Sequence, residues 1–201
     1  MMIYPIDYRV IPTSELELNK NEVYARLQTS RETPLSDFSS LISELEGTIL
    51  CKYSAVRLPI SLKENNVVDF GFESVQSADL SKNLQGCNEA FIFGVTLGLG
   101  VDRFLNKLSL TSPSNHFIAD AFASAYAESA ADKAEETMKG SLPCKPRFSP
   151  GYGDLELTFQ KKVLEVINSQ KLLGISLNKS LLMSPMKSIT AIMGVKNDKN
   201  N

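Results

Sequence analysis

Lys145-Pro146-Arg147-Phe148-Ser149-Pro150-Gly151-Tyr152-Gly153-Asp154 is the stretch on which the reading of this 201-residue chain turns. Its prolines fix φ and its glycines open conformations closed to other residues, so the loop is stiff at some bonds and permissive at others. Arg147 offers a planar fork suited to a carboxylate or phosphate. The Ser149 to Tyr152 turn can offer backbone hydrogen bonds, and Tyr152 can stack on a planar group. The same residues also read as a rigid surface turn with an ordinary exposed arginine, and Lys145 reads as solvated.

Upstream, residues from about Ser114 or Asn115 to Met138 form an alanine-rich run free of glycine and proline, which reads as the longest helix. Phe117, Ala121 and Ala125 share one side, and small residues there allow another element to approach closely. Gly140 and Pro143 end the run. Asp120, Ser124, Glu128 and Asp132 recur every four residues as a polar, mainly acidic stripe. A solvent-facing stripe is the default for Asp132. Glu128, lying between Ala127 and Ala130, is open enough to accept from an ammonium group. Paired with Arg147 it would clamp a zwitterionic amino acid, but spacing alone does not place the two together.

Elsewhere, apolar spacing marks an N-terminal extended arm over residues 1–13 and helical segments at 22–27 and 35–46, the latter over a sheet. Strands are expected within 48–60 and from Val67 to Phe72. A short helix around Leu80 and Leu84 precedes the clearest buried strand, 89–96. A further helix carries Val101 to Leu108, another runs from Leu157 to Ile167, and a final strand spans Ile189 to Val195. Gly94, Gly98 and Gly100 match neither a Walker loop nor a dinucleotide fingerprint and read as chain reversal. Asp102 and Arg103 are expected to cap or pair near their helix, and His116 to support a helix start.

Hydrophobic residues make up 43% and charged residues 22%, with a net charge of -2, as expected of one folded domain. No basic block supports nucleic-acid binding. Cys51, Cys87 and Cys144 are scattered and odd in number, giving neither a disulfide framework nor, with one histidine, a zinc site. Cys87 reads as a core residue. No export signal or membrane-length apolar segment is evident, so a cytoplasmic location is expected, without membrane attachment. Residues 196–201 read as a flexible polar tail after a domain spanning 1–195.

Arg147-Phe148-Ser149-Pro150-Gly151-Tyr152 resembles the Arg-x-x-Pro-Gly-Tyr motif of the activation domain of vitamin B12-dependent methionine synthase. Asp120 to Glu128 is similar to that domain's long helix, and Met183 to Ala191 to its late Pro-x-x-Ser segment, in the same order. The resemblance implies a single α+β domain with a curved, mainly antiparallel sheet flanked by helices. It implies an S-adenosylmethionine site with roles for Glu128, Arg147, Ser149, Gly151 and Tyr152, and with no catalytic side chain or metal ligand. Ser149 stands where full-length enzymes commonly carry alanine. Asp7 is a candidate for an N-terminal acidic ligand residue, and Lys187 and Ser188 for a cobalamin-facing surface.

The implied work is reactivation in methionine biosynthesis. Cobalamin carried by a separate methionine synthase core is re-methylated after reduction by a donor such as flavodoxin or ferredoxin. This chain, without room for the other domains, would act in trans as an accessory to the methyltransferase. Alternatives are service to another corrinoid methyltransferase, or a non-catalytic adaptor for a corrinoid protein. A stand-alone hydrolase lacks a coherent nucleophile and base.

Overall fold

The computed structural model describes residues 4–28 and 34–197. Ile3 of the expected arm and residues 198–201 of the expected tail lie outside them. The elements in chain order are β1 (Ile6–Ile11), α1 (Lys20–Leu27), α2 (Ser39–Glu46), β2 (Cys51–Pro59), β3 (Ser61–Lys63), β4 (Val67–Asp69), β5 (Ser74–Gln76), α3 (Ala78–Asn83) and β6 (Cys87–Thr96). There follow α4 (Leu99–Thr111), α5 (Pro113–Lys139), α6 (Gln160–Val166), α7 (Ser169–Leu172), β7 (Ser176–Leu177), β8 (Met183–Ser184) and β9 (Ser188–Lys196).

An open antiparallel sheet in the order β1-β2-β6-β9 organises the molecule. Its register sets Ile6 opposite Val56, Val56 opposite Ile92, and Ile92 opposite Ile192. Because side chains alternate along a strand, β2, β6 and β9 each feed two cores. Cys51, Tyr53, Ala55, Phe91, Phe93, Val95, Ala191 and Met193 face one cluster with Val101, Leu105, Phe122 and the α5 alanines. Val56, Leu58, Ala90, Ile92 and Ile192 face the other, with Leu80, Leu84, Phe159, Val163 and Ile167. The layers are therefore helix, sheet, helix. The strands β3, β4 and β5 form a separate small sheet, and β7 pairs with β8.

The small side chains of α5 let it lie close against the sheet. Ala123, Ala125, Ala130, Ala131 and Ala134 have no exposed surface. The chain leaves β6 for α4 through Gly98, whose φ of +87° is left-handed and costs other residues more. Its N–H donates to the Thr96 hydroxyl at 3.1 Å.

Several expectations shift in detail. Residues 35–46 split into a 3-10 turn, Leu35–Phe38, followed by α2, which packs against α5. The strand expected to reach Phe72 stops at Asp69, because Phe70 N–H closes a turn onto Glu73 O at 2.9 Å. Phe70 and Phe72 instead join an aromatic group with Phe159. The last strand runs to Lys196, one residue into the expected tail. Asp102, only 6% exposed, turns away from its own helix and accepts the Met186 N–H at 3.1 and 2.9 Å. Cys87 is buried in the core as expected. Among the described residues no helix is long and apolar enough to cross a membrane.

Candidate functional site

Beyond β9, residues 144–148 run alongside the strand as a partial fifth one. Lys145 N–H donates to Gly194 O, while Phe148 and Ile192 exchange backbone bonds, each at 2.8 Å. This anchorage fixes Arg147, which reaches across to α5. Its Nη2 donates to Glu128 Oε2 at 2.8 Å, and its Nη1 donates to both Asp132 Oδ1 and Glu135 Oε1 at 2.6 Å. Residues four and seven apart share a helix face, so all three carboxylates converge on one guanidinium. Burial works against the charged guanidinium. Hydrogen bonds to Asp132 and Glu135 and their negative charge outweigh it and hold its pKa above the ordinary value.

The upstream end of the stripe is bound by a second cation. Lys187 Nζ donates to Ser124 Oγ at 2.8 Å and lies 2.7 Å from Asp120 Oδ1. The Asp102 carboxylate fixes the preceding residue, and the Ser188 hydroxyl donates to Pro185 O at 2.7 Å and accepts from the Thr96 hydroxyl at 2.8 Å. The stripe is thus stitched at both ends to segments flanking β9, while Asp132, expected to face solvent, is 69% exposed even as it accepts from Arg147. Three carboxylates against one arginine leave a formal excess of two negative charges at its downstream end.

The loop after Arg147 is a tight reversal. Tyr152 N–H donates to Ser149 O at 3.0 Å and Gly151 N–H to Leu155 O at 2.8 Å. Gly151 has φ +92°, a conformation that favours glycine. Pro150 is buried beneath the turn. Tyr152 is 58% exposed and meets the Phe148 ring edge-on, with centroids 6.1 Å apart. Asp154 closes the loop by capping α3: its carboxylate accepts from the Ser77 hydroxyl, from Ala78 N–H at 2.7 Å and from Asp79 N–H at 3.2 Å. The Ser77 bond, followed by the backbone donor of Ala78, holds its pKa below the usual carboxylate range.

Glu128 and Arg147 are therefore in direct contact, with the Ser149 to Tyr152 turn continuing from the arginine. Asp7 lies elsewhere: on β1 it accepts from the Tyr53 hydroxyl at 2.9 Å and from Arg9 Nε at 3.2 Å. Its groove is lined by Ala55, Arg57, Phe91 and Met138, and not by Glu128 or Arg147. Sequence reasoning missed Glu135 and Asp154. Glu135 carried a signal, seven residues from Glu128 on the same face. Asp154 carried none, since its partners lie 75 to 77 residues away.

The sheet order, the long α5 and the loop alongside β9 define an activation-domain-like α+β fold. No protein-family model matches the sequence, and no curated protein matches it. The chain is similar in structure to a crystal structure of the MetH reactivation domain bound to AdoHcy, with a TM-score of 0.74 and 14% identity, over 99% of this chain and 81% of that one. At that identity the likeness is one of fold.

Proposed function

We propose that this protein binds S-adenosylmethionine and serves as a reactivation partner for a separate corrinoid-dependent methionine synthase. The observation that carries the reading is the 2.8 Å contact between Arg147 and Glu128. It joins the two stretches that resemble the activation domain, on a fold similar to one that binds AdoHcy.

The residues present suit this ligand chemically. Glu128 is an acceptor for an ammonium group, and Tyr152 presents an exposed aromatic face. The turn around Gly151 brings backbone close without a side chain in the way. The excess negative charge around Arg147 favours a cationic sulfonium over its neutral demethylated form. When bound, S-adenosylmethionine supplies a sulfonium methyl for transfer to the reduced corrinoid of the partner. In this reading the chain performs no acid or base step. Glu128, Arg147, Ser149, Gly151 and Tyr152 hold and orient the donor, and the rigid loop limits the geometries available to it.

A second reading rests on the saturation of Arg147. Both terminal nitrogens already serve internal carboxylates. An arginine so engaged can be a structural staple, and the protein then an adaptor for a corrinoid protein.

The two part in a reconstitution. Oxidised corrinoid methionine synthase core, a reductant such as reduced flavodoxin, and methyl-labelled S-adenosylmethionine are combined with and without this chain. The proposal expects labelled methylcobalamin only with the chain present, and loss of the label with Arg147→Ala. Partner co-sedimentation without labelled product supports the adaptor.

A further inference from the structure

The free edge of the main sheet is β1, and its sequence is self-complementary. Reading Ile6-Asp7-Tyr8-Arg9-Val10 outward from Tyr8 gives opposite charges at the first step and β-branched apolar residues at the second. The register fixes which face each occupies. Asp7 and Arg9 lie opposite Ala55 and Tyr53, on the α5 side. Ile6, Tyr8 and Val10 lie on the other side, 39%, 39% and 53% exposed. Among the described residues no backbone group outside β2 bonds to the backbone of this strand.

We infer that β1 is a docking edge for a second copy of this chain, paired antiparallel about a two-fold axis at Tyr8. An open edge offers a row of N–H and C=O groups as a template for another strand. Antiparallel pairing opposes residues that point their backbone groups the same way, both toward or both away from each other. A two-fold axis must therefore pass between a residue and its own copy. An axis at Asp7 opposes two carboxylates, and one at Arg9 opposes two guanidiniums. Only the axis at Tyr8 sets Asp7 against Arg9 of the second copy and Arg9 against Asp7 of the second copy. On the other face it sets Ile6 against Val10 of the second copy and covers the exposed apolar triad. Opposite charges and apolar pairs directly across a ladder stabilise it, and like charges destabilise it. Pro5 and Pro12, lacking N–H donors, bound the pairable stretch at the six residues of β1. The product is an isologous dimer with one continuous eight-stranded sheet.

Sedimentation equilibrium tests this over a concentration series up to roughly 100 μM. The wild-type chain should rise from 22.1 kDa toward twice that mass. Arg9→Asp and Asp7→Arg should each weaken self-association by roughly tenfold or more, since each opposes like charges in both pairs. An equimolar mixture of the two variants should regain the wild-type affinity as a heterodimer. Circular dichroism confirms folding. If Asp7→Arg unfolds for want of the Tyr53 acceptor, Arg9→Asp and Val10→Lys carry the test, both expected monomeric. A wild-type mass that stays at 22.1 kDa, or folded charge variants that dimerise like the wild type, overturns the proposal.

Discussion

Arg147 Nη1 meets Glu135 Oε1 at 2.6 Å, and Glu135 is the most buried of the three carboxylates around that guanidinium, 15% exposed against 36% for Glu128 and 69% for Asp132. The arginine is thus held from its inner side by Glu135, while Glu128 and Asp132 stand nearer to solvent. Removing the cation leaves a partly buried carboxylate beside two others. Arg147→Ala should lower stability by about 2 kcal/mol, more than an exposed ion pair and less than a fully buried one. Urea unfolding measures it. Glu135→Gln keeps a hydrogen-bonding partner of the same size and should cost less than Arg147→Ala.

Asp154 links the candidate loop to α3 and makes the link sensitive to pH. Its folded pKa is depressed, so the stability it contributes is present above the unfolded value, about 3.9. That contribution is lost as pH falls through the lower folded value. Wild type and Asp154→Asn should differ in urea midpoint at neutral pH and converge in acid. A gap unchanged across that window contradicts the cap.

The Asp102 carboxylate is buried and holds the chain just before Lys187 through the Met186 N–H. Asp102→Ala leaves that donor without its partner, at a cost of about 1–3 kcal/mol. Hydrogen exchange should quicken at Met186 and Lys187, while amides in β2 and the middle of β6 keep their protection.

The turn geometry at Gly151 tolerates a side chain poorly. An added Cβ would stand 3.3 Å from Leu157 Cδ1 in a backbone conformation that L-residues avoid. Gly151→Ala should destabilise by about 1 kcal/mol or somewhat more. Under the proposed function it should weaken S-adenosylmethionine more than it lowers the thermal midpoint of distant elements.

Burial pushes the Cys51 thiol up to about 12, and burial also raises Cys87 and Cys144 to smaller extents. Only the thiolate attacks. With native protein at pH 8, a disulfide reagent should label Cys144, the one cysteine that is not fully buried, first and Cys51 last. Peptide mapping gives the order, and denaturant should erase it.

Much of this architecture was legible in local pattern. The alanine run specified α5, and the apolar block at 89–96 specified the central strand β6. The Arg-x-x-Pro-Gly-Tyr run marked the loop that lies beside Glu128. Pairings between distant segments were not legible. Nothing near Asp154 announces Ser77, and nothing near Asp102 announces Met186, because each bond joins segments brought together only by the sheet. The stripe from Asp120 to Asp132 was visible as a period of four, with Glu128 as a candidate partner of Arg147 and solvent as the default for Asp132, which is 69% exposed. That Lys187 holds Asp120, and that Arg147 also takes Asp132 and Glu135, was not legible, because those contacts join segments distant in sequence. Phe70 and Phe72 read as strand by composition, yet a turn at Glu73 and the ring of Phe159 decide their place.

The measurement that bears most directly on the central claim is calorimetric titration of S-adenosylmethionine into the protein, alone and with a corrinoid methionine synthase core, for wild type and Glu128→Gln. The wild type should bind saturably in at least one arm, with clear weakening in the variant, which loses a charge facing the ligand's ammonium group. Absence of binding in both arms, or equal affinity in wild type and variant, would contradict that claim.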